Sequence, residues 1–105
     1  MIRHFVFFTA PNDGNIDAVR KGLQILTRNP HAKHLEIALN RKSDPASKEV
    51  DVVVYGEFAD DAALAAYKAH EFYAESIRRV KPLREMRLAA DYDTAQAFID
   101  ADDEG

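Results

Sequence analysis

Two short segments of this 105-residue chain are apolar on both sides of an extended pleat, and no other feature constrains the fold as strongly. In Ile2–Thr9, Phe5 and Phe7 point to one side of a strand while Val6 and Phe8 point to the other. In Val50–Phe58, Val53 and Tyr55 oppose Val52 and Val54 in the same way. Their Phe, Val and Tyr content favours strands. A strand with one wet face alternates apolar and polar residues, so a strand apolar on both faces has to be covered twice.

The rest of the chain supplies one of those covers. Pro11-Asn12-Asp13-Gly14 is a turn that ends the first strand. Ile16, Val19, Leu23 and Leu26 then recur with helical spacing, with Asn15 or Asp17 expected as the cap and Asn29-Pro30 as the stop. Leu35, Ile37 and Leu39 alternate with His34, Glu36, Ala38 and Asn40, which predicts a second strand. The polar stretch from Arg41 to Glu49 reads as a loop. Asp60-Asp61 places acid at a helix start, and Leu64 and Tyr67 carry that helix forward. Its signal weakens at His70-Glu71 and resumes through Ile77 and Val80, so a bend or two abutting helices are expected before Pro82. Arg84–Tyr92 is the fourth predicted strand, and Thr94–Ile99 a short helix before a frayed acidic end.

This β-α-β-β-α-β order predicts an α+β, ferredoxin-like domain over residues 1–93, followed by a tail over 94–105. Its four strands form an antiparallel sheet with both helices on one face and the first and third strands in the middle. The other apolar face is expected to meet a second copy, sheet against sheet, as a dimeric α/β barrel. The C-terminal tail or another protein are the alternative covers.

Composition narrows the partners. With a formal net charge of −4, the chain has no basic excess to neutralise nucleic acid or anionic membranes. It has no cysteine, so disulfides and thiolate chemistry are excluded. No apolar run reaches membrane-spanning length, and the opening run is too short for a secretion signal, so a cytoplasmic location is expected.

The opening Met1-Ile2-Arg3-His4-Phe5-Val6-Phe7-Phe8 resembles the start of the stress-responsive dimeric α/β-barrel domain family, M-[IV]-[KR]-H-x-V-x-[FL]. Asn40, Glu57-Phe58, Ala66-Tyr67-x-x-His70, Val80-x-Pro82-Leu83 and Asp91-Tyr92 extend the resemblance over roughly residues 1–93. It implies the fold and the dimer reached above, but no single reaction. Plant members of the family include a cyclase that runs a cofactor-free aldol condensation and a hydroxynitrile lyase.

The resemblance also implies that the face carrying His4, Val6 and Phe8 looks into the barrel, with His4 lining its cavity. An imidazole there is a candidate base, and equally a buried histidine satisfied by one partner. Tyr67 matches the cyclase's substrate-binding tyrosine. Tyr73 stands where the cyclase has its general-base histidine, and Val52 where it has another cavity histidine, which argues against the same aldol chemistry. His70 shares a helix face with Tyr67 and reads either as a pocket residue or as the cap of a helix break. Val54 and Arg87 complete the expected pocket. Arg87 is also a candidate partner for Glu36 or for an anionic ligand. His31 and His34 invite a metal reading that no third ligand supports, so neither a metal nor a cofactor is expected.

Two functions stay open. One is a binding protein for a small apolar or aromatic ligand. The other is a cofactor-free lyase, cyclase or isomerase with His4 as base and Tyr67 or Tyr73 as hydrogen-bond donor. A related α/β-barrel monooxygenase, sharing the fold but not these motifs, is the third.

Overall fold

Strand β1 (Ile2–Phe8) lies near the centre of the molecule, hydrogen-bonded on both sides, in the computed structural model, which describes residues 1–100. After it come α1 (Asp13–Leu23), β2 (His34–Leu39), β3 (Val52–Phe58), α2 (Asp61–Ala69), α3 (Glu71–Val80) and β4 (Arg87–Asp93). The sheet order is β2-β3-β1-β4 and every pairing is antiparallel. This is the ferredoxin-like arrangement that the order of elements predicts.

The two central strands divide by parity. Ile2, His4, Val6 and Phe8 of β1 are buried, as are Val52, Val54 and Phe58 of β3. They form one core with Val19, Leu23 and Leu26 from the first helical stretch and Leu64, Tyr67 and Val80 from the second. Removing each of these apolar side chains from water contributes about 1.5–3 kcal/mol. The opposite parity presents Phe5, Phe7, Val53 and Tyr55, continued onto β4 by Leu88 and Tyr92. Phe5 packs its ring on Tyr55 at 5.0 Å and on Tyr92 at 5.9 Å. Leu88 remains 52% exposed. Among the described residues the tail does not cover this face: Phe98 is 92% and Ile99 68% exposed.

This division corrects the expected orientation. His4, Val6 and Phe8 face the helices of their own chain, and the face left for a partner carries Arg3, Phe5 and Phe7. Local boundaries differ as well. Asn12, not Asn15 or Asp17, caps α1, its side chain accepting from the Asn15 N–H at 2.9 Å. Asn15 instead donates its Nδ2 to the Leu83 carbonyl, tying α1 to the turn after α3. Asp17 pairs with Arg20 and Lys21 one turn on, and those hydrogen bonds hold its carboxyl below the usual range. Strand β4 starts at Arg87 rather than Arg84, because Leu83 and Arg84 still bond back to the Val80 carbonyl. The tail forms only a 3-10 turn, Thr94–Gln96, and the acidic end from 101 onward lies outside the described residues.

Gly56 sits opposite His4 and Leu35 in the ladder. A Cβ there would stand 2.8 Å from Leu35 Cδ1 and 2.9 Å from Phe58 Cε2. Gly56→Ala is therefore expected to destabilise the fold by about 1–3 kcal/mol through overpacking. Urea denaturation checks it: the midpoint should fall with an unchanged slope, and an unshifted midpoint would contradict the packing described.

Candidate functional site

A cavity of about 360 Å³ lies between the buried face of the sheet and the helices. Val6, Phe8 and Val54 line it from the strands, and Leu23, Leu26, Ile77 and Val80 from the helical layer. His4, Tyr67, Tyr73 and Ser76 are its polar residues, and Lys68, Lys81, Arg84 and Arg87 its cations.

His4 is 1% exposed, so its ring nitrogens need partners inside the protein. The register of β1 on β4 puts Asp91 directly across from it, and the imidazole Nδ1 makes a short hydrogen bond to Asp91 Oδ1. Opposite residues in an antiparallel pair have Cβ atoms about 4.5–5.5 Å apart, within reach of these two side chains. A carboxylate accepts, so Nδ1 carries a proton, and in the neutral imidazole the lone pair resides on Nε2. The ring is held edge-on between Phe58 at 6.1 Å and Tyr67 at 6.2 Å. Since the Nδ1 side is turned to β4, the side left for the cavity carries Nε2.

Tyr67 projects from α2 and is 1% exposed. Burial drives its phenol well above the ordinary tyrosine range, Tyr73 adds to the effect and the Arg87 charge opposes it. The phenol is thus a hydrogen-bond donor at any physiological pH. Asn29, also buried, donates its Nδ2 to the Tyr67 carbonyl at 3.1 Å and holds the end of α2. Tyr73 stands 5.3 Å from the Tyr67 ring, and its hydroxyl accepts from the Arg87 guanidinium at 3.4 Å.

Tyr67 and Tyr73 are on different helices and meet because the chain breaks between them. His70 takes an extended backbone there, as the last cap of α2 and the first of α3. Its Nδ1 accepts from the Phe72 N–H at 3.0 Å, and its ring packs on Phe72 and His31. Placing His70 in the pocket is therefore incorrect: capping turns its ring away, and the cap reading describes it.

Two further expectations change. Val52 is fully buried in the core and lies outside the cavity lining. Arg87 and Glu36 project from opposite faces of opposite edge strands, so they cannot pair; Glu36 bonds His34 at 2.5 Å. With His34 held by Glu36 and His31 against His70, those histidines do not converge. Among the described residues no cluster of His, Asp and Glu is arranged to hold a metal.

With the Asp91–His4–Tyr67 group in place, the family can be read. The model of the stress-responsive A/B barrel domain matches residues 2–94. The chain belongs to this family. Among curated proteins none matches. Among solved structures, a Dabb family protein with a ferredoxin-like fold from Mesorhizobium loti is 26% identical, with a TM-score of 0.72 over 88% of this chain and 94% of that one. A dimeric ferredoxin-like protein of unknown function from Jannaschia sp. CCS1 is 20% identical, with a TM-score of 0.77 over 89% and 98%. A protein from Nitrosomonas europaea described as a putative antibiotic biosynthesis monooxygenase is 18% identical, with a TM-score of 0.72 over 89% and 97%, a likeness of fold alone. In this Dabb chain the signature His4 is thus a core residue beneath the helices.

Asp91 is the site residue that residue-by-residue reading misses as His4's partner. First and last strands are antiparallel neighbours in this fold, so a residue near one end of β1 opposes one near the far end of β4. That register was the available signal.

The raised Tyr67 pKa predicts an alkaline stability loss. The unfolded phenol ionises near its reference pKa of about 10, and the folded one only above that. Between the two, the unfolded state sheds a proton that the folded state keeps, so stability falls as pH rises. Tyr67→Phe should flatten that alkaline arm in pH-resolved denaturation, whereas an unchanged arm would mean the phenol is not perturbed.

Proposed function

We propose that this Dabb domain is a homodimer whose open sheet faces pack together, and that each protomer's cavity binds a small apolar or aromatic molecule and moves a proton on it without a cofactor. The observation that carries the chemistry is His4, held by Asp91 in one tautomer at the wall of a cavity of about 360 Å³. Organic ligands typically occupy pockets of roughly 300 Å³ or more.

The residues divide the work. His4 Nε2 takes a proton from a carbon next to a carbonyl, and the electron pair moves onto the carbonyl oxygen. Tyr67 donates a hydrogen bond to that oxygen as charge develops. The imidazolium, stabilised by Asp91, then returns the proton to the same or a neighbouring atom, which completes an isomerisation. In a cyclase the enolate carbon would first attack a second carbonyl of the ligand and the proton would go to the new alkoxide; in a lyase it would go to the departing group. Tyr73, held by Arg87, is the second donor. A positioned base of this kind contributes about 10²–10⁴-fold.

A carbon-acid panel tests the reading without the natural substrate. Small aryl ketones in D₂O should exchange their α-protons faster with the wild-type protein than with His4→Ala, by up to about 10²–10⁴-fold in the NMR rate. Equal rates across the panel, with both proteins folded, would remove His4 from any catalytic role.

The dimer is supported by the uncovered Phe5, Phe7, Val53 and Leu88 and by solved neighbours described as dimeric. An apolar patch of this kind marks an interaction surface, and a symmetric partner covers both copies at once. Sedimentation should give twice the 11.8 kDa chain mass, and Phe7→Asp should give the single mass. A wild-type monomer at micromolar concentration would contradict the arrangement.

A further inference from the structure

Proton transfer leaves the charge of the cavity unused. Lys68, Lys81, Arg84 and Arg87 line it, and among the described residues no Asp or Glu does. Elsewhere, five of the ten other Lys and Arg are held in ion pairs among the described residues. Glu75 holds both Arg78 and Arg79, Asp17 holds Arg20 and Lys21, and Asp51 holds Lys42. Among the described residues, none of the cavity's four cations forms an ion pair. In a chain of net charge −4, this is a local reversal of sign around an opening. A cleft lined by one sign concentrates counter-ions of the other.

Two of the four are held by hydrogen bonds. Arg87 bonds the Tyr73 hydroxyl at 3.4 Å, and Arg84 bonds the Glu85 carbonyl at 3.3 Å. Each bond orients a guanidinium and uses only part of its donor fork, and that fork matches a carboxylate two bonds at a time. The Arg87 charge is close enough to act on the Tyr67 phenol. Val6, Leu26 and Val54 supply apolar lining to the same cavity.

We propose that the cavity selects a small amphiphilic carboxylate, its acid group held by Arg87 and Arg84 and its apolar body laid towards Val54 and His4. This rests on the reading of the cavity as a ligand site and adds the class of molecule it takes. The arginines fix the anionic end, so the body of the ligand lies beside Nε2 of His4 and the Tyr67 phenol. Lys68 and Lys81 add long-range attraction that salt weakens.

Matched probes test it. Binding of 2-naphthoate and of its neutral analogue 2-naphthamide is measured by calorimetry on the wild-type protein, Arg87→Met and Arg84→Met, each with its melting temperature recorded. A charge-assisted bidentate contact predicts that the carboxylate binds about tenfold tighter than the amide. Either substitution, and high salt, should shrink that preference, with the carboxylate losing more affinity than the amide. Equal affinity for the two probes would overturn the carboxylate assignment and leave the cavity reading standing. Inorganic phosphate binding as tightly as naphthoate would also overturn it, since the apolar body would then contribute nothing. If neither probe moves the Tyr67 or Val54 resonances in NMR titration, the cavity reading fails and this assignment with it.

Discussion

The structure depends on one mismatch: a sheet with two apolar faces in a chain that carries a single layer of helices. The even positions of β1 and β3 go beneath that layer with Val19, Leu23, Tyr67 and Val80. The odd positions, Phe5, Phe7, Val53 and Tyr55, are left without a cover among the described residues. Because strand parity has a period of two, no shift of register can hide both sets at once. A second copy of the same surface would remove the mismatch with no new sequence, which is the basis of the proposed dimer.

The same parity creates the chemistry. His4 falls in the even set and is carried into the core, where an unpaired imidazole would be costly. Asp91 meets it from the neighbouring strand, so one hydrogen bond both satisfies the histidine and selects its tautomer. The break at His70 bends the second helical stretch so that Tyr67 and Tyr73 approach each other at 5.3 Å. A structural cap thus brings two phenols together, one of them beside the His4 ring. The cationic rim joins this group through Arg87, which touches Tyr73 and influences Tyr67.

Much of this was legible in the residues and some of it was not. Strand order and the two central strands followed from Phe5–Phe8 and Val52–Tyr55, and the helix break from the weak signal at His70-Glu71. The orientation of the sheet was read the wrong way round because both parity sets are apolar, so alternation separates them without naming the covered one. The polar ends of the odd set hold the missing information. Arg3 reaches Tyr92, and Tyr55 reaches Glu57 at 2.6 Å, arrangements suited to a rim rather than a core. Val52 and His70 were misplaced for different reasons. A valine's parity says which face it joins but not whether a cavity lies beside it, and a capping histidine turns away from the face its helical spacing suggests. Arg87 and Glu36 were brought together by assuming one interior for both edge strands, when the register puts them on opposite sides.

The central claim is that odd-numbered phenylalanines of β1 are dry although no described part of their own chain covers them. Protein labelled with fluorophenylalanine provides the direct test, because a ¹⁹F resonance shifts between H₂O and D₂O only where water reaches the ring. Phe98, 92% exposed, supplies the wet reference, and Phe58, fully buried, the dry one. Phe5 and Phe7 should behave like Phe58. Solvent shifts at Phe5 and Phe7 matching that of Phe98 would contradict the account.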